Sequence, residues 1–140
     1  MIIINLERQE EIKKMLCICK DYCTDYFQRL QNKGSELKIK EEFKNLEIFF
    51  NALASKERLI IIESLKDQDR CVCELEAILD KSQSTISHHL RKLERAGLIY
   101  SFKKGNYTYY GLIKERLEAY IEIFNAEINI IFNQTDYILH

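Results

Sequence analysis

A short helix, a tight turn, a second helix and two strands follow one another over residues 71–110, and that order predicts a winged helix-turn-helix. The expected class is mainly α with a small β-hairpin wing. Two further observations agree. Proline is absent and glycine numbers only 4, which favours long uninterrupted helices over an all-β fold. At 140 residues, with 46% hydrophobic and 31% charged residues, the chain has the size and balance of one domain with terminal extensions. Residues 1–34 are expected as an N-terminal helical extension, and residues 35–140 as the winged helix-turn-helix domain.

The elements follow from period and punctuation. Residues 7–31 carry Ile12, Met15, Leu16, Cys19, Tyr22, Cys23, Tyr26, Phe27 and Leu30 at helical spacing, which predicts one amphipathic helix closed by Gly34. A second helix, residues 36–54, is expected to turn Leu37, Phe43, Leu46, Phe49, Phe50 and Leu53 inward. Ser55 is placed to cap the next helix, and residues 66–70 form a polar break. Residues 72–79 make a short helix burying Val72, Leu75, Ile78 and Leu79, and the chain turns at Asp80 and Lys81. Ser82 is an N-cap for a helix over residues 83–96, which Gly97 ends. Tyr-, Phe- and Ile-rich strands over 98–103 and 107–112 flank a Gly105-Asn106 turn. A last helix, residues 114–132, carries Leu117, Tyr120, Ile121, Phe124, Ile128 and Ile131.

Net charge is −1, so the whole-chain charge does not bear on nucleic acid, but its distribution does. Between residues 81 and 110 stand six Lys or Arg against one acid, Glu94, a local +5. On the helix over 83–96, Ile86, Leu90 and Leu93 share the core face. Gln83, Ser84, Thr85, Ser87, His88, Arg91 and Lys92 occupy the rest and are the candidates for base edges and phosphates in a major groove. His89 leans toward the core. Lys103, Lys104 and Asn106 at the hairpin tip suit the neighbouring backbone or minor groove. The partner expected is double-stranded DNA. No Ser-His-Asp order, phosphate-cradling glycine loop or deaminase-type His and Cys signature is present, so an enzyme is not expected.

No apolar run approaches the roughly 20 residues that span a bilayer, and the short Ile2-Ile3-Ile4 run is no signal segment. A cytoplasmic location without membrane contact is the expectation. There, five cysteines in two groups (Cys17, Cys19, Cys23 and Cys71, Cys73) point to metal binding or redox chemistry over a structural disulfide framework.

Residues 48–112 resemble the ArsR/SmtB family of winged-helix metalloregulatory repressors. The stretch Phe50-Asn51-Ala52-Leu53-Ala54-Ser55-Lys56-Glu57-Arg58-Leu59 is similar to the family's opening helix signature. Cys71-Val72-Cys73-Glu74-Leu75 is similar to its thiolate metal box, and Ser82-Gln83-Ser84-Thr85-Ile86-Ser87-His88-His89-Leu90 resembles its recognition helix. The resemblance implies a homodimer on a two-fold operator, with the first core helix and the 114–132 helix as dimer surface. It also implies repression relieved by an inducer.

Thiolates favour soft or borderline ions such as Cd(II), Pb(II), Zn(II) or As(III). Cys71 and Cys73 supply two ligands. Glu76 stands where arsenic-sensing members carry a third cysteine, so the resemblance points to the cadmium/lead branch, whose N-terminal extension completes the site. The candidate metal set is Cys71, Cys73, Cys23 and Cys19, with no organic cofactor. Two alternatives stay open: a thiol-based redox or reactive-sulfur sensor of the same fold, and a constitutive DNA-binding regulator whose cysteines sense nothing.

Overall fold

The computed structural model of the protein describes residues 4–19 and 24–135, without the side chains of residues 18, 19, 24, 134 and 135. It divides into two compact units, Met1–Phe43 and Lys44–His140.

The first unit holds α1 (Leu6–Cys19) and α2 (Thr24–Lys38). One continuous helix over 7–31 is therefore corrected to two, on either side of residues 20–23, which lie outside the described residues. Phe27 is buried, and Lys13 lies over its ring with Nζ 5.2 Å from the centroid. Met15 and Leu30, expected on the packed stripe, are exposed. Gly34 is not a cap: α2 runs through it to Lys38. One glycine costs a helix about 1 kcal/mol relative to alanine, too little to end it when helix formers follow. The chain breaks instead at Ile39 and Lys40, so the next helix, α3 (Glu41–Leu53), starts five residues later than expected. Leu37 and Phe43 are each 42% exposed, against expectation.

The second unit begins inside α3 and continues through α4 (Lys56–Leu65), β1 (Arg70–Cys71), α5 (Val72–Leu79), α6 (Gln83–Arg95), β2 (Ile99–Lys104), β3 (Tyr107–Leu112) and α7 (Lys114–Thr135). Its core joins Phe49 and Ala52 of α3, Ile61 and Leu65 of α4, Leu75 of α5, Ile86, Leu90 and Leu93 of α6, Leu98, Ile99 and Tyr120. Leu75, Ile86, Leu90, Leu93 and Leu98 are fully buried, so the helix-turn-helix is anchored by its own apolar stripe. Ile78, expected inward, is 44% exposed, because the short α5 has turned its third apolar position out of the core. Phe49 stacks on Tyr120 with centroids 4.8 Å apart, while Phe50 meets the edge of Phe124 at 5.2 Å and stays 43% exposed.

The local signals place the helix ends. Ser55 Oγ accepts from Arg58 N, and Ser82 Oγ from Thr85 N, each at 3.4 Å. Asp80 takes a left-handed conformation (φ 50°) at the end of α5. Gly97 does the same (φ 71°) after α6: Gly97 N donates to Glu94 O at 2.9 Å and Leu98 N to Leu93 O at 3.1 Å. That pair of bonds is a Schellman cap, which turns the chain sharply from α6 into β2. Tyr120 Oη donates to Ala96 O at 3.0 Å, tying α7 to the same corner.

The sheet has three antiparallel strands in the order β1-β3-β2, one more than expected. β2 and β3 pair from Ile99↔Leu112 to Lys104↔Tyr107, and the two-residue β1 pairs with β3 at Arg70↔Tyr110 and Cys71↔Tyr109. Among the described residues no helix is long and apolar enough to cross a membrane.

Candidate nucleic-acid interface and thiol pair

On α6 the residues divide as their spacing predicts. Gln83, Ser84, His88, Arg91 and Lys92 are exposed, as is Arg95; Thr85 and Ser87 are half-buried at the margins. At the helix start, Ser82 Oγ lies 3.1 Å from Ser84 Oγ and 2.9 Å from Thr85 Oγ1, so three hydroxyls form one cluster around the N-terminus. Lys92 and Arg95 fall in the last turn, where the helix dipole favours cations.

Behind this outer face, Arg58 of α4 is buried, and donates through Nε to Ala52 O at 2.5 Å and through Nη2 to Asn51 O at 3.1 Å. Its Nη1 lies 3.2 Å from Nδ1 of half-buried His89. A guanidinium can only donate, so His89 Nδ1 accepts and the ring proton sits on Nε2. Burial, and then the Arg58 charge, hold the His89 imidazole below its ordinary value. One buried cation thus closes the end of α3 and fixes the inner side of α6. Sequence spacing put His89 toward the core correctly, but nothing in it named Arg58 as its partner.

The wing is a twisted hairpin with Lys103, Lys104 and Asn106 exposed at its tip beside the positive-φ Gly105 (φ 63°). One of its faces is aromatic: Phe102 stacks between Tyr100 and Tyr109 at centroid distances of 6.1 and 5.7 Å, and Lys104 Nζ reaches to 5.9 Å from the Tyr109 ring. Tyr100 Oη donates to Asp69 Oδ1 at 3.2 Å, fastening the wing to the loop that leads into β1. Gly111 stands opposite Tyr100, and a Cβ there would overlap the Tyr100 ring and the Asp69 carboxylate.

Cys71 and Cys73 sit where three elements meet. Cys71 ends β1 opposite Tyr109 of the wing and is the N-cap residue of α5. Its N–H donates to Glu74 Oε2 at 2.8 Å, and Arg70, which donates to Ser64 O at 2.7 Å, reaches the same carboxylate. The sulfurs of Cys71 and Cys73 are joined as a disulfide, with Cα atoms 5.5 Å apart. Cys71 is 6% exposed, whereas Cys73 faces solvent. Reduced, the pair would offer two soft donors at one point, which suits a thiophilic ion by donor type but fills only part of its coordination. Among the described residues no group of three or more His, Cys, Asp or Glu could hold a metal ion. Cys19 ends α1, its side chain undescribed, and Cys23 lies outside the described residues.

Comparison with known proteins gives a consistent set. A family model described as "Bacterial regulatory protein, arsR family" matches residues 55–101. The arsenical resistance operon repressor of Bacillus subtilis is 37% identical over 101 residues, 71% of this chain and 89% of that protein. A cadmium resistance transcriptional regulatory protein of Listeria innocua is 41% identical over 63 residues, 44% of this chain but only 53% of that regulator. Among solved structures, HlyU from Vibrio cholerae superimposes with a TM-score of 0.54 at 31% identity, covering 63% of this chain and 96% of that one.

Proposed function

This chain belongs to the arsR family of bacterial regulatory proteins, which are DNA-binding transcriptional regulators and not enzymes, and from that premise we propose that it is a repressor released from its operator by a soft metal ion or metalloid held on thiolates. The observation that carries the inducer half is the position of the thiol pair. Cys71 stands in register with Tyr109 of the wing strand and begins the helix whose Leu75 packs in one core with Ile86 and Leu90 of α6. A ligand shifts a two-state equilibrium only by its differential affinity for the two states. Sulfurs attached to both the wing and the helix-turn-helix are well placed to create that difference.

In this reading α6 enters the major groove. Gln83, Ser84, Thr85, Ser87, His88, Arg91 and Lys92 meet base edges and phosphates, and Lys103, Lys104 and Asn106 follow the adjacent backbone. The protein acts as a homodimer on a two-fold operator. Support for the dimer comes from apolar side chains exposed on α3 and α7: Ile48, Phe50, Ile121, Ile130, Ile131 and Phe132. Cys71 and Cys73 supply two sulfur ligands, and Cys23 and Cys19 are proposed as the others. The support for Cd(II), Pb(II), Zn(II) or As(III) as inducer is the relatives named for cadmium and arsenical resistance.

The test uses reduced protein and a DNA fragment selected by that protein from a random pool. Cd(II) is expected to weaken binding by more than about tenfold, within the ordinary range of allosteric coupling. Cys71→Ser and Cys73→Ser are expected to bind the fragment but to ignore the metal. Stoichiometric cadmium uptake, seen as thiolate charge-transfer absorbance, with unchanged DNA affinity would reject the coupling.

A further inference from the structure

Cys71 and Cys73 do not need a third thiol to change state. They are bonded to each other in the structure, with Cα atoms 5.5 Å apart, the usual span of a disulfide. Three constraints hold that spacing from the Cys71 side: the β1–β3 pairing at Tyr109, the bond from Cys71 N to Glu74 Oε2, and the first turn of α5. The two sulfurs also differ in access, since Cys73 is exposed and Cys71 is buried. Exposure decides which sulfur an external reagent can reach, and proximity decides which one completes the bond.

We propose that the pair is a redox gate on inducer sensing, in which low-molecular-weight disulfides oxidise Cys73 first and Cys71 then closes the Cys71–Cys73 bond, leaving neither sulfur able to ligate a metal. The inference rests on the metal-responsive reading above and adds its regulation. The Cys73 thiolate attacks one sulfur of a disulfide RSSR, forming a mixed disulfide and releasing RS⁻. The Cys71 thiolate then attacks the Cys73 sulfur, forming the intrachain bond and releasing the second RS⁻. Two protein thiols are oxidised and one RSSR is reduced to two RSH, which take up the two thiol protons. Excess reductant runs the exchange backwards. The oxidised protein keeps its DNA-reading helix but is deaf to metal, so relief of repression requires both the ion and a reducing thiol pool.

The experiment uses the full chain in two forms: reduced and desalted, or treated with oxidised glutathione and desalted. Each is alkylated and digested with trypsin, which cuts after Arg70 and Lys81 and so releases both cysteines in one peptide, separate from Cys17, Cys19 and Cys23. The oxidised form is expected to yield that peptide unalkylated and lighter by its two thiol hydrogens. Cadmium chloride should then release the reduced form from the selected DNA and leave the oxidised form bound, with the response restored by a phosphine reductant. An oxidised form whose 71–81 peptide is alkylated, glutathionylated or joined to an N-terminal peptide overturns the gate. So does an oxidised form with the closed peptide that cadmium still releases. If the reduced form itself ignores cadmium, the metal-responsive reading falls, and the gate with it. The reduced arm alone reports that outcome, so the two failures are distinguishable.

Discussion

Arg58 Nη1 lies 3.2 Å from His89 Nδ1, a contact across 31 positions of sequence that joins α4 to the inner side of α6. The same guanidinium takes up the carbonyls of Asn51 and Ala52. The exposed outer side of α6 is therefore backed by a polar clamp as well as by Ile86, Leu90 and Leu93.

Removing that clamp leaves two carbonyls and an imidazole nitrogen without their donor. Arg58→Ala is expected to cost about 2–4 kcal/mol, as for other buried charged donors with several partners. Denaturant unfolding checks this. A loss below about 0.5 kcal/mol, the range of ordinary surface changes, would show the clamp to be energetically idle.

His89 makes stability depend on pH in a definite direction. The folded protein holds the imidazole below its ordinary 6.5, first by burial and then by the Arg58 charge, so the unfolded chain binds the proton more readily. The contribution is present above pH 6.5 and is lost as pH falls through the folded value. Melting temperature should decline on acidification below neutrality. His89→Asn, which keeps an acceptor for Arg58 but cannot titrate, should flatten that decline; an unaltered slope would assign it elsewhere.

Gly111 is set by close approach, not by backbone angle. The Tyr100 ring covers it and Tyr100 Oη bonds Asp69, so Gly111→Ala must push ring and carboxylate apart. The expected loss is about 1–3 kcal/mol, the usual cost of overpacking. A double change with Tyr100→Ala should recover part of it, because the obstructing ring is gone; simple additivity would rule out this account.

Lys103 and Lys104 at the wing tip are expected to act on affinity without acting on sequence preference. Replacing both with alanine should lower the slope of log K against log salt by roughly 0.9 for each phosphate that is no longer neutralised. Binding measured across a salt series on the selected fragment and on unrelated DNA provides the check. Weakening confined to the selected fragment would mean that the wing reads bases.

The helix-turn-helix was legible because its signals are local. Ser82, the stripe of Ile86, Leu90 and Leu93, and Gly97 each act within a turn or two of themselves, and the Gly105-Asn106 turn sets the hairpin register. The N-terminal region is less legible. Its apolar stripe announces helix but not where the helix breaks, nor which stripe residues find a partner. Leu37 and Phe43, expected in the core, are therefore each more than 40% exposed.

By itself, then, the sequence determined the fold class, the order of the helices α4 to α7 with the β2–β3 hairpin between the last two, and the face of α6 that carries hydroxyls, His88 and Arg91. It also placed two thiols at the edge of the reading unit. Only the tertiary structure decided that Cys71 belongs to a third strand and that Cys71 and Cys73 bond to each other. It alone showed that Arg58 holds His89. The reason is the range of the interactions. A two-residue strand has no period to read, and a side-chain bond across 31 residues leaves no pattern until packing brings its two ends together.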